Sequence, residues 1–444
     1  MKALRFLASA LGASLATTSV AYANPVDTFG FGSRCTSMGN ACVADARDLS
    51  AAYYNPSLLS ERKRFEAMLG YSYASHHLSL SGRNSDIEPV RGFHAGLATA
   101  GTFGKVPFAF GVALHLPDER ISRVRALRQE EPRWELFDSR NQRIYFAANV
   151  AIAPLPWLEF GAGLAFMSST RGRVDITGNA NIFNTSSSTL RHEVDADLTA
   201  VRYPQFGMLV RPTKKVALGL AYRGAFQLEL DLKARLQGDL GKLTTAYYAL
   251  ESFSVSAFLP AQIAFGGSWA IAPRVRANVD LTYIFWSSYV SPVPKLTVEL
   301  DIPTPKEGWP VGIEPPTTPT PVAIVPIRMR DRIVPHLGVE FDAVSTPTFV
   351  LQLRAGYEYA LTPIPPQRGI TNFVDTTRHT FSLGVGANAK DWIPELPDVK
   401  VDLVGTYSAM VTTTIQKDSP ADLVGNYVAA GHLWNMGVTT SFGF

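Results

Sequence analysis

Along most of the chain, apolar and polar residues alternate one for one. Residues 274–286, RVRANVDLTYIFW, place Val275, Ala277, Val279, Leu281, Tyr283 and Phe285 on one side and Arg276, Asn278, Asp280 and Thr282 on the other. Successive side chains of a strand point to opposite faces, so a period of two predicts a β-strand with one apolar and one polar face. The alternation returns with Phe108, Phe110, Val112 and Leu114, with Ile144, Phe146, Ala148 and Val150, and with Leu158, Phe160, Leu164 and Phe166. Across 216–232, Val216, Leu218, Leu220 and Tyr222 oppose Arg223, Gln227, Glu229 and Asp231.

Read this way, the chain holds about fourteen strands, at 65–81, 92–102, 106–116, 143–153, 157–169, 192–212, 216–232, 252–272, 274–300, 327–342, 348–362, 378–389, 399–415 and 432–444. A soluble sandwich also alternates, but here the connections alternate too. Those at 103–107, 153–156, 211–215 and 272–274 are tight; those at 117–142, 178–191, 237–251, 301–326, 363–377 and 417–431 are long. Short turns at one rim and long loops at the other are the layout of an outer-membrane barrel, and an even strand count returns both ends to the periplasmic rim. The turn at 391–398 is expected to be longer than its neighbours on that rim. The expected fold is therefore an all-β membrane protein, an antiparallel transmembrane β-barrel over 60–444.

Composition fits this reading. The chain is 46% hydrophobic and contains 34 Gly and 16 Tyr. After the N-terminal segment it has no long apolar run of the kind a membrane helix needs. Lys2 and Arg5, the apolar stretch 6–20 and Ala21-Tyr22-Ala23 form a secretory leader, residues 1–23, leaving Asn24 first in the mature chain. Losing Lys2 and Arg5 takes the formal charge from +3 to about +1, which gives no electrostatic case for nucleic acid.

Residues 24–59 do not alternate. Gly30, Gly32 and Gly39 and a run of small residues over 41–52 predict short helices and turns, which can fold into the lumen as a plug. Cys35 and Cys42 are the two cysteines. In an oxidising periplasm they can close a short loop or remain two thiols, and with no histidine nearby they suggest no metal site.

The stretch GSRCTSMGNACVADARDLSAAYYNPSLL, residues 32–59, resembles the start of the FadL/TodX outer-membrane transporters of long-chain fatty acids and hydrophobic compounds. Tyr54, Asn55, Pro56 and Ser57 stand where the family's hatch carries a tyrosine and Asn-Pro-Ala, with Ser57 in place of the usual alanine. Proline restricts Asn55 to extended geometry, and the asparagine side chain can satisfy nearby backbone, so the motif is a rigid turn. Residues 259–289, 349–367 and 377–387 look like the family's mid-barrel hairpin, a strand ending in Pro-x-Pro, and a late strand opening with Arg and His. Residues 117–191 show no such likeness.

The resemblance implies passive uptake of a hydrophobic ligand past the plug, with sideways release where the third strand is kinked. Pro107, Phe108, Phe110 and Gly111 are the matching residues, since proline lacks a ladder donor and glycine tolerates a bulge. The alternative for Gly111 is packing against the plug. A fatty-acid carboxylate would need a cation or donors in the lumen. The candidates are Arg143, Arg223, Arg276, Arg354 and the amine of Asn24; the alternative for the arginines is pairing with Glu159, Asp280, Glu340 or Glu358. The last strand carries Trp434, Met436, Val438, Thr440, Phe442 and Phe444 on one face, and a terminal aromatic resembles the signal read by the barrel-assembly machinery. Lipid and lipopolysaccharide are the expected surroundings and a monomer the expected state.

Enzyme chemistry finds no footing. There is no GxSxG or HExxH, and His76 and His77, adjacent on a strand, point to opposite faces. No cofactor is expected. The rival functions are a general outer-membrane channel, which needs no plug, and a lipid-modifying enzyme of the outer membrane.

Overall fold

The computed structural model describes residues 25–61, 65–118, 128–137, 144–181, 189–239, 244–291, 293, 295–309, 314, 317–321, 323–393 and 396–443. The leader 1–23, Asn24, Arg143 and Phe444 lie outside them.

The two-residue period builds one closed sheet. Its fourteen antiparallel passes are β1 (Phe65–Leu80), β2 (Val90–Phe103), β3 (Val106–Pro117), β4 (Tyr145–Leu155), β5 (Leu158–Asn181), β6 (Thr189–Thr213), β7 (Val216–Arg223 and Phe226–Asp239), β8 (Thr245–Leu259 and Gln262–Ala272), β9 (Val275–Ile284 and Lys295–Asp301), β10 (Arg332–Ser345), β11 (Phe349–Ala360), β12 (Arg378–Ile393), β13 (Leu396–Ile415) and β14 (Tyr427–Gly443). The barrel closes where β1 pairs with β14, from Glu66↔Gly443 to Leu80↔Ala429. Closure removes the sheet edges that lipid could not satisfy.

The faces sort as the alternation predicts. Val279 and Leu281 point outward, while Asn278 and Asp280 are buried inside. Aromatics band the outer surface at two levels: Phe65, Phe103, Trp157 and Trp269 near the short turns, and Tyr73, Tyr283 and Trp434 toward the long loops. Such girdles mark the two interfaces of a bilayer.

Four features depart from the sequence reading. Three strands are broken: β7 after Arg223, β8 at Pro260 and Ala261, and β9 after Ile284, where a 3₁₀ turn at Trp286–Ser288 intervenes. Proline has no amide to donate, so the β8 ladder cannot run through Pro260. β5 runs twelve residues beyond its expected end at 169, whereas β6 lies within three residues of its expected bounds, and the outer half of β5 accepts the outer half of β7 in parallel, from Asp231↔Arg173 to Asp239↔Asn181. The outer halves of β8 and β9 then pair in turn, so these five strands carry one sheet beyond the barrel rim. Finally, the longer turn expected at 391–398 is absent: the β12–β13 ladder continues to Ile393↔Leu396.

The lumen is filled by residues 25–61. They form α1 (Pro25–Phe29), α2 (Ser33–Ser37), α3 (Ala51–Tyr54) and a 3₁₀ turn at Pro56–Glu61. These helices are too short to stand alone in water, so the barrel wall holds them. The long loops meet at the opposite end, where Arg133–Trp134 pairs in parallel with Phe373–Val374.

Candidate functional site

The plug reaches the wall because the wall has glycines where the plug touches it. A Cβ at Gly161 would overlap the backbone of Pro56 and Ser57, and one at Gly207 would overlap Asn55 and Pro56. Gly161 and Gly207 are direct cross-strand partners, so together they form one seat for the Asn-Pro turn. On the far side Gly338 and Gly356, also partners, admit Met38 and Gly39. Gly39 itself has φ +64° and lies against Tyr357 backbone, a position closed to any side chain.

Asn55 is fully buried and uses both ends of its amide. Its Nδ2 donates to the carbonyls of Val43 (2.7 Å) and Met208 (3.1 Å), and its Oδ1 accepts from Ser57 N (3.1 Å) and Ser57 Oγ (2.7 Å). The serine that replaces the usual alanine thus adds a hydrogen bond within the turn. Tyr54 donates to Asn40 Oδ1 at 2.8 Å, and its hydroxyl receives the amide of Phe31 at 3.1 Å. Burial raises both Tyr53 and Tyr54 above their ordinary range. Cys35 and Cys42 are joined as a disulfide that closes the turn after α2.

Wall side chains satisfy plug backbone that cannot reach water. Asn149 and Gln205 both donate to the Ala52 carbonyl (3.1 and 2.9 Å), Asn278 to Ala41 (2.8 Å) and Asn435 to Phe29 (3.1 Å). Asp280 accepts the amide of Val43 at 2.8 Å.

An ion network completes the attachment. Arg34 pairs with Asp45 (2.9 Å) and with Glu340 of β10 (3.0 Å); Arg354 of β11 pairs with the same Glu340 (2.7 Å) and with Asp402 of β13 (2.5 Å). Burial opposes the charge on Arg34, but Glu340 and Asp45 override it and hold the guanidinium above its ordinary value. Burial would likewise raise Asp45, but Arg47, Arg34 and Arg276 hold it below the usual carboxylate range.

The structure therefore separates the arginines singled out from the sequence. Arg354 belongs to this network, and Arg276 lies 3.6 Å from Asp45 at its border. Arg223 stands elsewhere, paired with Asp27 at 2.9 Å and stacked 4.0 Å over the Tyr53 ring. The third strand, which the resemblance implied could be kinked and where Gly111 could instead pack against the plug, is regular. β3 pairs with β2 from Gly92↔Pro117 to Phe103↔Val106, and with β4 from Phe108↔Ile152 to His115↔Tyr145, without a register shift. Pro107 sits at the strand's turn end, where no ladder bond to β4 is needed. Phe108 and Phe110 face outward, and Gly111 faces inward against Leu59 of the plug.

Arg223 opens onto a cavity of about 100 Å³ between the plug and the long loops. Val26, Leu259, Pro260, Ile284, Val334 and Ala360 give it an apolar wall. Leu136, Phe137, Asp375 and Thr376 cover it from above. That cover is tied down: Arg133 stacks 4.3 Å over Phe373 and pairs with Glu135 (2.7 Å), Glu135 accepts from Tyr289 (2.7 Å), and Asn372 donates to Glu130 O (2.8 Å). Trp286, Arg332 and Arg378 also line the cavity and were not singled out from the sequence. Trp286 lies at the break in β9, while Arg332 and Arg378 open β10 and β12; alternation along each strand does not record that the barrel brings the three to one cavity. Beneath the plug lies a second cavity of about 110 Å³, lined by Arg34, Arg47, Asp48, Arg354, Lys400 and Asp402.

Residues 137–442 match the profile of the outer membrane protein transport protein family (OMPP1/FadL/TodX). The chain belongs to this family. Its members are outer-membrane transport channels for hydrophobic compounds, not enzymes. Solved structures of FadL/TodX proteins share the fold. A Pseudomonas aeruginosa FadL homologue superimposes with a TM-score of 0.58 at 13% identity, covering 97% of this chain and 100% of that one. The CymD monoaromatic hydrocarbon channel gives 0.53 at 16%, over 95% and 99%. The Pseudomonas putida toluene transporter TodX gives 0.53 at 14%, over 94% and 99%. No curated protein sequence matches significantly.

Proposed function

We propose that this FadL/TodX protein carries hydrophobic small molecules passively across a bacterial outer membrane, taking them into the cavity above the plug and releasing them sideways through the wall once the plug moves. The observation that carries this is a cavity with one apolar wall, of Val26, Leu259, Pro260, Ile284, Val334 and Ala360, held between a plug and a loop cover inside the barrel. An apolar ligand gains about 0.8 kcal/mol per buried methylene there. The route straight down is unfavourable, because the space beneath the plug is lined by charged side chains that an apolar molecule would have to desolvate. Sideways release through β3 needs a change at Pro107–Gly111, since that strand is fully laddered with the plug in place.

The test is uptake of radiolabelled oleate, and separately of toluene, by cells lacking their own transporter and expressing this chain. Uptake should depend on the chain and fall in an Asn55→Ala, Pro56→Ala variant. Absence of uptake of both, with the barrel folded and inserted, refutes the reading for these two ligand classes and favours the general channel or the lipid-modifying enzyme. Conductance discriminates that rival: removing residues 24–57 raises ion current if the segment is a plug, and leaves it unchanged if the barrel is an open pore.

A further inference from the structure

Beside the cavity, the wall is held together least well between β6 and β7. Their ladder runs from Thr213↔Val216 to Gln205↔Arg223 and stops there. On that side β7 regains a partner only at Asp231, opposite Arg173 of β5. Between these points residues 226–230 pair with β8 alone, from Phe226↔Leu259 to Leu230↔Ser254, with a register shift after Leu228. The reason lies in one residue. Gly224 N donates to the Pro204 carbonyl at 2.8 Å, which begins the next rung, but Pro204 has no amide to return the bond. Arg223 stands opposite Gln262, and Gln262 opposite Ile284. The breaks after Arg223, at Pro260 and Ala261, and after Ile284 therefore lie at one level of the wall.

Side-chain packing closes the seam that the ladder leaves. Pro204 lies against Gly224, where an added Cβ would stand 2.8 Å from Pro204 Cδ and 3.2 Å from its Cγ. Next to them Tyr203 and Phe226 meet edge to face, with ring centroids 6.4 Å apart and each side chain 2% exposed. Such rings move aside by changing rotamer, whereas a laddered pair of strands separates only by breaking backbone hydrogen bonds that lipid cannot replace.

The seam stands between two apolar surfaces. On the inside, Leu259, the partner of Phe226, lines the cavity above the plug together with Pro260. On the outside, Phe206 and Tyr222 face each other one rung below the last ladder pair. They line a groove of about 480 Å³ on the lipid face, with Ile152, Phe160 and Met208 around them and Ala162 among these larger residues. The plug reaches the seam as well. Val26 and Tyr53 share one buried apolar cluster with Tyr203, Phe226 and Leu259, and the Tyr53 ring lies 4.0 Å from the guanidinium of Arg223, the last residue of the ladder. A plug that moves removes packing from the two rings.

We propose that the hydrophobic ligand passes between the cavity and the lipid face through this β6–β7 seam, with Tyr203 and Phe226 as its latch, and not through β3. The proposal rests on the transport reading above and names the route. The fully laddered β3 then stays intact, and the only backbone bond to give way at the seam's lower end is the one from Gly224 to Pro204.

The test is a pair of disulfide locks in cells lacking their own transporter and expressing the full chain. Pro204→Cys with Gly224→Cys ties the seam. Leu97→Cys with Val112→Cys ties direct partners of β2 and β3. Uptake of radiolabelled toluene and of oleate is compared, after oxidation, with protein carrying Pro204→Cys or Leu97→Cys alone. The seam lock should lower uptake to that of cells without the chain, and the β2–β3 lock should leave it unchanged. Phe226→Ala, which removes half of the latch and adds no lock, should raise the uptake rate while the barrel stays heat-resistant on gels. A folded, seam-locked barrel that still takes up ligand overturns the proposal, as does a β2–β3 lock that abolishes uptake or a folded Phe226→Ala barrel no faster than wild type. Those outcomes sink the route alone; wild-type protein with no chain-dependent uptake sinks the transport reading with it.

Discussion

Asn55 shows how much one side chain carries at the plug. Its amide ties together the plug turn, the Val43 carbonyl and the β6 carbonyl of Met208. Asn55→Ala leaves those buried groups unpaired and should destabilise plug docking by about 2–4 kcal/mol, each orphaned group costing about 1–3. Limited proteolysis of the plug in the intact barrel reads this directly, with faster cleavage expected. Gly207→Val places a side chain where Asn55 and Pro56 lie and should displace the plug without breaking β6, raising ion current in planar bilayers while the barrel stays heat-resistant on gels. Asp45 makes docking sensitive to acid. Its carboxyl titrates below the ordinary value, so the ionised form stabilises the docked plug. That contribution is complete above the unfolded value of about 3.9 and is lost as pH falls through the lower folded value. Conductance should therefore be flat from pH 7 to about 5 and rise below about 4, and Asp45→Asn should flatten this dependence. The Asn-Pro turn was legible in the sequence because its backbone chemistry is local. The partners of Asn55 were not, since Val43 and Met208 come to it only through the fold.

At the scale of elements, the two-residue period sufficed for the strands because each crosses between lipid and a polar lumen, and the face a residue takes is set by its own polarity. The period says nothing about where a strand changes partner. The outer half of β7 leaves β6 above Arg223 and joins β5 in parallel, a choice made by which edge is free. The regular ladder of β3 is a similar case: Pro107 and Gly111 have the chemistry for a kink, but one sits at the turn and the other accommodates Leu59. The Cys35–Cys42 disulfide closes a short loop around the end of α2. Reducing it should cost the plug about 2–3 kcal/mol on the chain-entropy estimate, measured as a lower melting temperature or faster plug proteolysis with reductant and no change in a Cys35→Ser, Cys42→Ser variant. The loop cover depends on Asn372 and Arg133, both buried among loops distant in sequence. Arg133→Ala should open it and speed ligand binding to the cavity in stopped-flow measurements, with ion conductance unaffected because the plug remains in place.

For the whole molecule, the barrel and the plug divide the work. The barrel supplies a hydrogen-bonded wall, and the plug fills its lumen, held there by glycine seats, amide contacts and an ion network. The sequence by itself determined the barrel, its strand number, its polarity from lipid face to lumen, and the presence of a small-residue segment able to enter it. These are properties of alternation, loop length and local turn chemistry, which neighbouring residues settle among themselves. Only the tertiary structure decided which arginines are spent on holding the plug and which face the cavity, that Trp286, Arg332 and Arg378 join one site, and that loops far apart in the chain cover it. Those outcomes depend on curvature: closing fourteen strands into a ring places residues on opposite walls within reach of one another, and a pattern read along the chain contains no record of what stands across the lumen.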